Sequence, residues 1–478
     1  MAKIIVLGGG VCGLAAGILL RRDGHDVTVL ERDSEPVPSS TDEAWERWPR
    51  DGVTQFRQTH YLTSRGREVL DSVLPDIRAQ LTAAGGVTID PLQLLPPAIT
   101  DRAPREGDER FVTVNARRTT VEQVLARAAE AESGLEVRRG VTVTGLVAGA
   151  YDGVPHIRGV RTETGQELAA DLVVDATGRR SQLPRWLEAA GAGPIHEEAE
   201  DSGFLYYTRY FRARDGGTPE FRAPLLSAMG TFSILTMPAD GGTWSVTLYG
   251  ASGDQPLKQL REVDAWTRLL AACPLHAHWL DGEAMTGVMA MGGIVDRYRR
   301  LFYGARPVAT GVALAGDAWA CTNPSLGRGM TLALMHARRL RDIARSHLDD
   351  PREFAEAWDA VTESELTPWY RETVEEDRAR LRQIEALRGG GGVGAPDPAS
   401  DQSAAARGAM FTTFAYDPDV FRAFIGTRNC LWRIEEACAD ERLFSRMIEL
   451  ARDAQPLQLP GPDREQVLSL LAASPAPA

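Results

Sequence analysis

The stretch Ile4–Asp33, "IIVLGGGVCGLAAGILLRRDGHDVTVLERD", decides the fold. Four apolar residues, Ile4 to Leu7, read as a buried strand; a glycine-rich turn and an apolar helix follow, and a second β-branched run, Val27 to Leu30, stops at Glu31. Gly8, Gly10 and Gly13 make the G-x-G-x-x-G spacing, which lets the backbone turn sharply, approach a pyrophosphate and pack the helix close on the sheet. A phosphate then sits on the helix N-terminus, where free N–H groups and the dipole favour an anion. Glu31 lies 21 residues after Gly10, where a carboxylate accepts both ribose hydroxyls and repels a 2′-phosphate. FAD and NAD are both open at this point.

The 478 residues are 43% hydrophobic and 7% aromatic, the composition of an ordinary globular protein with core enough for about three domains. A net charge of −13 gives no support to a nucleic-acid partner. Of 53 basic residues only Lys3 and Lys258 are lysines, a bias that fits a GC-rich genome better than an arginine-specific function. Five cysteines are scattered, without C-x-x-C or a histidine spacing for zinc, so no metal site is expected and a reducing cytoplasm fits. No apolar run approaches the length of a transmembrane segment, and the N-terminal one contains the glycine turn and lacks a cleavage site, so it is a first strand and not a signal peptide.

Two further stretches settle the nucleotide. "ADLVVDATGRRSQLPRWLEAAG" (Ala170–Gly191) carries a strand, Leu172 to Val174, then Asp175, Gly178, Arg179 and Ser181. In "GVALAGDAWACTNPSLGRGMTLALMHARRLRD" a strand, Val312 to Ala315, meets Gly316 and Asp317, then a loop with Pro324, Gly327 and Gly329, then an amphipathic helix beginning near Met330. The three stretches in this order resemble the class A flavoprotein monooxygenases, with the p-hydroxybenzoate hydroxylase fold, and most closely the bacterial branch that contains polyether epoxidases. The likeness covers roughly residues 1 to 345.

That resemblance implies FAD as cofactor. Gly8, Gly10, Gly13, Glu31 and Arg32 would hold its adenosine diphosphate; Asp317 would accept ribityl or ribose hydroxyls; Pro324, Gly327, Gly329 and Met330 would present a positive helix end to the isoalloxazine. Arg118 in "NARRTTVEQVLARAA" resembles the arginine that opens a helix and contacts FAD, with Arg117 as the other possibility; the strand "VRRGVTVTGLV" would grip adenine at Val143. "DGVTQFRQTHYL" (Asp51–Leu62) is similar to a segment of that branch, with Thr54 in place of its proline, and puts Gln55 and His60 near the flavin. The family's Asp-Gly dipeptide is spread here as Asp175-Ala-Thr-Gly178, so electrons come from NADPH or NADH, or from a partner flavin reductase.

The fold expected is α/β: a discontinuous Rossmann-type FAD-binding domain (1–183 and 304–345), an inserted antiparallel-sheet substrate domain (184–303) and a C-terminal helical region (346–478) with a Gly/Pro-rich linker or loop at 389–400. "FLYYTRYFRA" and "FSILTMPADGGTWSVTLYG" alternate as antiparallel strands. Tyr207, Arg209 and Phe211 share one face, and Phe204, Tyr206, Thr208 and Tyr210 the other. The first set is the candidate substrate wall, and the methionines of "MTGVMAMGG" suit an irregular pocket. "FRAFIGTRNCLWRIEEACADERLFSRMIELA" is helical by periodicity. The expected reaction is insertion of one oxygen atom from O2 into an apolar secondary metabolite by way of a flavin C4a-hydroperoxide. Epoxidation leads over phenol hydroxylation, because no His or Asp declares itself as the base a phenol needs. A redox-neutral cyclase, a prenyl-reductase-like or halogenase-like enzyme and a non-enzymatic nucleotide-binding escort are the alternatives; a halogenase would need a lysine in the stretch between Lys3 and Lys258, where there is none.

Overall fold

The computed structural model describes residues 1–215, 217–389 and 402–473, so the Gly/Pro-rich segment after Gly389 lies outside the described residues. In chain order the principal elements begin with β1 (Lys3–Leu7), α1 (Val11–Arg22) and β2 (Asp26–Glu31). Next come α2 (Arg118–Ala131), β3 (Leu135–Arg139), β4 (Val143–Tyr151) and β5 (Leu172–Asp175). The long strands β6 (Phe204–Arg212), β7 (Phe232–Ala239) and β8 (Thr243–Ala251) are followed by α3 (Val263–Ala271) and β9 (Val295–Arg300). Last are β10 (Val312–Leu314), α4 (Gly329–His347), α5 (Thr367–Arg388), α6 (Pro418–Arg428) and α7 (Arg464–Ala472).

Five strands pair in parallel in the order β10-β5-β1-β2-β3. Side chains of a strand alternate between its two faces, and β1 supplies both cores. Ile4 and Val6 pack with Leu14 and Ile18 of α1 and Leu334 and Leu340 of α4. Ile5 and Leu7 pack on the other side with Ile157, Val160 and Tyr370. Burial on both faces explains the unbroken apolar run that marks this strand.

The second sheet is antiparallel. β6 runs against β8 from Phe204↔Ala251 to Arg212↔Thr243, and β8 against β7 through the turn that contains Asp240, Gly241 and Gly242. One face buries Tyr207, Phe211, Trp244 and Val246 under Trp266 of α3. The C-terminal helices are distributed over both sheets: Val467 and Leu471 of α7 join the α3 core, while Tyr370 of α5 stacks on Tyr298 of β9 with centroids 5.5 Å apart. Val420 and Phe421 of α6 pack on Leu92, Ile99 and Phe111. Among the described residues no helix is long and apolar enough to cross a membrane.

A buried acid joins the antiparallel sheet to the helix that follows Arg117. Asp240, in the β7–β8 turn, accepts the backbone N–H of Arg117 at 2.7 Å, the Arg117 guanidinium at 2.6 and 3.1 Å, and the Thr120 hydroxyl at 2.9 Å. It therefore places a carboxylate at the positive end of α2, with both side chains of the ion pair fully buried. Asp240→Ala removes the buried partner of Arg117 and leaves only the exposed Asp42, 3.6 Å away, and should lower unfolding stability by about 3 kcal/mol in urea titrations. Replacing Arg117 and Asp240 together by Met and Leu should recover most of that loss, because no unpaired charge is then left buried.

Candidate active site

The ends of β1, β2, β5 and β10 open on a cavity of about 380 Å3. Gly8 leaves β1 with φ +97°, and a Cβ there would lie 2.7 Å from the Ala176 carbonyl oxygen; a Cβ on Gly13 would lie 1.9 Å from that of Gly8. At Gly10 nothing stands within 4 Å of where a Cβ would go, and this residue opens α1 at the cavity. Both α1 and α4 begin here with no side-chain cap and no acidic residue in the first turn. Five helices elsewhere are capped by side chains of Ser40, Asp350, Asp417, Asp440 and Asp463, while others, such as those beginning at Ser64 and Leu183, are not. Uncapped N–H groups of two helices turned to one cavity call for an acceptor-rich ligand.

Glu31 lines the cavity but is already engaged. One carboxylate oxygen accepts the Gly9 N–H at 2.8 Å and Arg50 at 3.1 Å, and the other the Asp33 N–H at 2.9 Å. An ionised carboxylate has about four acceptor positions, so room for a ribose hydroxyl is left. Arg50, which sequence reading missed, also donates to the Gly9 carbonyl at 2.9 Å and lies 3.5 Å from Asp33 and 3.4 Å from Glu122. Burial opposes its charge, yet Glu122, Glu31 and Asp33 raise its pKa, and its Nη1 is buried without a partner at the cavity wall. Nothing local in "RWPRDGV" sets it apart from the other arginines. Arg32 lines the same wall.

Of the two candidate arginines, Arg118 reaches the cavity and Arg117 turns away to Asp240. Arg118 donates to Glu122 at 2.6 Å and meets His60 Nε2 at 3.1 Å, while His60 Nδ1 lies 2.9 Å from the Gln58 carbonyl. The carbonyl must accept and the guanidinium must donate, so His60 carries its proton on Nδ1. Burial and the Arg118 charge push its pKa down to about 3. It is a neutral acceptor with its lone pair taken. Gln55 and Val143 also line the cavity.

Asp317 follows β10 and accepts no hydrogen bond among the described residues, which leaves its carboxylate to the cavity. Burial raises its pKa, against Arg118 and Arg179, which lower it. Pro324, Gly327, Gly329 and Met330 form the adjoining wall. Asp175 is fully buried and holds its own turn, accepting the Thr177 N–H at 2.9 Å, the Thr177 hydroxyl at 2.6 Å and the Ser181 hydroxyl; Gly178 lies on the cavity.

Tyr207, Arg209 and Phe211 lie on the face of the antiparallel sheet that packs on α3, away from the cavity, which corrects their expected place in a substrate wall. Arg209 is sandwiched there, 5.2 Å from both the Phe211 and Trp266 rings, because a guanidinium stacks on aromatic faces. The opposite face carries hydroxyls toward the cavity's lining coil. Thr59 donates to Ser245 at 2.8 Å, the Tyr210 hydroxyl to the Gln58 carbonyl at 3.2 Å, and Thr208 meets Thr247 at 2.8 Å. Met291 and Ile294 line the cavity beside that coil. No group of His, Cys, Asp and Glu among the described residues could hold a metal ion.

Residues 1–202 match the model of a family described as FAD binding domain. Protein Rv3254 of Mycobacterium tuberculosis is 29% identical over 356 residues, 70% of this chain and 72% of that protein. The chloroplastic zeaxanthin epoxidase of Solanum lycopersicum is 28% identical over 214 residues, which cover 43% of this chain but 28% of the epoxidase. Among solved structures PqsL of Pseudomonas aeruginosa, described as a probable FAD-dependent monooxygenase, superposes with a TM-score of 0.60 at 18% identity, over 80% of this chain and 99% of that one. Residues 1–202, which build most of the cavity, are thus an FAD binding domain, and the fold is shared with PqsL. Both findings agree with the resemblance to the class A flavoprotein monooxygenases drawn from the sequence.

The residues present fit FAD: two bare helix ends for phosphate and pyrimidine carbonyl, and a partner-free carboxylate for sugar hydroxyls. Asp317→Ala should weaken FAD binding by about 1–3 kcal/mol in fluorescence titrations. Gly13→Ala should yield protein without the yellow flavin absorbance, since its Cβ would collide with backbone and displace α1.

Proposed function

We propose that this enzyme inserts one oxygen atom of O2 into a largely apolar organic secondary metabolite, with epoxidation ahead of hydroxylation. One observation carries the reading: the histidine at the cavity is held as a neutral acceptor, and the cavity's free carboxylate, Asp317, is the one placed for the cofactor's hydroxyls. His60, the histidine at the cavity, has its lone pair held by Arg118 and a pKa of about 3. Epoxidation of an alkene needs no acid or base group, only an oxidant held over the double bond, whereas phenol hydroxylation gains from a base. The name of the zeaxanthin epoxidase supports the same direction, over the part of the chain it matches.

When bound, FAD supplies the electrons and activates dioxygen. The chain's residues then bind and orient. Gly10 and Gly329 open the helix ends that face the cofactor, Asp317 takes its hydroxyls, and Met291, Ile294 and Leu332 give the substrate an apolar wall that excludes water. Electrons come from NADPH or NADH, or from a partner flavin reductase. A reducing cytoplasm is the matching location, supported by five cysteines without a disulfide.

Labelled dioxygen tests the reaction. The product formed from a candidate polyene, with reductant supplied, should carry one 18-O atom from O2 and none from water. Label from water, or a product isomeric with the substrate, would show hydration or redox-neutral cyclisation instead.

A further inference from the structure

The wall Thr322–Gly329 meets the cavity on one side and α5 on the other. Arg328, whose side chain is fully buried, donates to Glu372 at 2.9 Å, Thr373 at 3.2 Å and the Thr427 carbonyl at 3.0 Å. Two further positions, each next to a residue that lines the cavity, are tied by acids. Ser325 donates its hydroxyl to Asp377 Oδ1 at 2.7 Å, and the Asn323 N–H donates to Asp296 Oδ1 at 2.5 Å. The Asn323 side chain accepts the Tyr206 hydroxyl at 2.8 Å. That leaves its Nδ2 buried without a partner, and Asp377 Oδ2 is buried without one as well. The two groups are neighbours, since the Asn323 amide is among those that favour the Asp377 charge.

We propose that Asp377 is a positioning residue for the cofactor loop: its carboxylate takes the Ser325 hydroxyl and turns its free oxygen to the partnerless Asn323 amide, so ionised Asp377 holds the loop at the cavity and protonation releases it. The inference rests on the reading that this loop touches bound FAD. It also gives the C-terminal helix α5 a part in cofactor binding. A protonated Asp377 would turn an O–H toward the Asn323 amide, which can only donate and needs an acceptor, while the Ser325 hydroxyl can meet either form.

The surroundings make the switch accessible. Burial pushes the Asp377 carboxyl up to about 7; Ser325 and Asn323 lower it, and Asp296 and Glu376 raise it further. Asp296, on β9, is raised to about 6 by burial first, with Glu200 and Asp201 adding to this and the Asn323 N–H and Arg378 opposing it. Burial also works against the Glu376 charge, but Arg428 and Arg328 keep its pKa low. Tyr206 and Tyr249 face Asp377 from the antiparallel sheet with pKa values raised, burial again first, and are neutral throughout. Asp377 and Asp296 are thus the members of this cluster that change charge near neutrality. Because the loop's donors favour the ionised form, FAD affinity should fall as pH falls through about 7.

The test uses the full chain and FAD itself as probe, with dissociation constants from fluorescence quenching and thermal unfolding of each apo-protein recorded alongside. Wild type should bind FAD about fivefold or more weakly at about pH 5.5 than at about pH 8.5. Asp377→Asn, which cannot ionise, should bind FAD weakly already at about pH 8.5 and should lose the wild-type transition near pH 7, leaving only the smaller contribution of Asp296 at lower pH. Asp296→Asn removes the nearest like charge on another element and should move the wild-type midpoint to lower pH. Asp377→Asn titrating in parallel with wild type, a flat wild-type curve, or an unmoved midpoint in Asp296→Asn would each overturn the proposal. If Asp377→Asn fails to fold, the midpoint in Asp296→Asn decides alone. Wild type that binds no FAD at any pH would instead remove the cofactor reading, and this proposal with it.

Discussion

The contact between Gly13 and the carbonyl of Gly8 sets how far α1 descends onto the sheet, and most of the site follows from that distance. A Cβ at Gly13 would stand 1.9 Å from an oxygen of the main chain, which no rotamer change relieves. The polar groups of the tightened turn are then passed along the cavity wall. Gly9 gives its N–H to Glu31 and its carbonyl to Arg50, Arg50 lies against Glu122, Glu122 takes Arg118, and Arg118 holds His60. Charges alternate along this chain, so each is offset by its neighbours in a buried place where an isolated one would be costly. The geometry of a glycine turn thereby reaches the coil that lies on the antiparallel sheet.

How much of this could be read beforehand depended on how local the cause was. The glycines, Glu31 and the Gly316-Asp317 pair announce themselves because their role is set by backbone conformation within one strand-turn-helix unit. Arg118 was distinguishable from Arg117 only once α2 was in place, since one residue of helix rotation sends one side chain to the cavity and its neighbour to Asp240. Arg50, Asn323 and Asp377 gave no signal: their partners lie on distant parts of the chain, and a lone arginine or aspartate among many has no pattern.

The antiparallel sheet shows a different limit. Its strands alternate clearly, but both sets contain aromatic and polar side chains, so periodicity fixed the two faces without saying which one is core. The decision is made by α3, whose Trp266 accepts Arg209 as a stacking partner and donates its indole N–H to the Tyr207 carbonyl at 2.9 Å. The hydroxyl-bearing face was left for the flavin side. Arginine, the residue least expected in a core, is the one that marks it.

Asp240 bears on how this architecture can be taken apart. The helix that delivers Arg118 to the cofactor cavity begins on a carboxylate supplied by a hairpin more than a hundred residues later, in the other sheet. The N-terminal nucleotide-binding segment is therefore not a self-sufficient module, although a family model isolates residues 1–202 as a unit. Cut there, it would lose the buried counter-charge of Arg117 and keep only the exposed Asp42 at 3.6 Å. Grafting a new antiparallel sheet onto this scaffold would have to carry the Asp240 turn with it, or replace Arg117 at the same time: the joint between the two sheets is inherited as a pair.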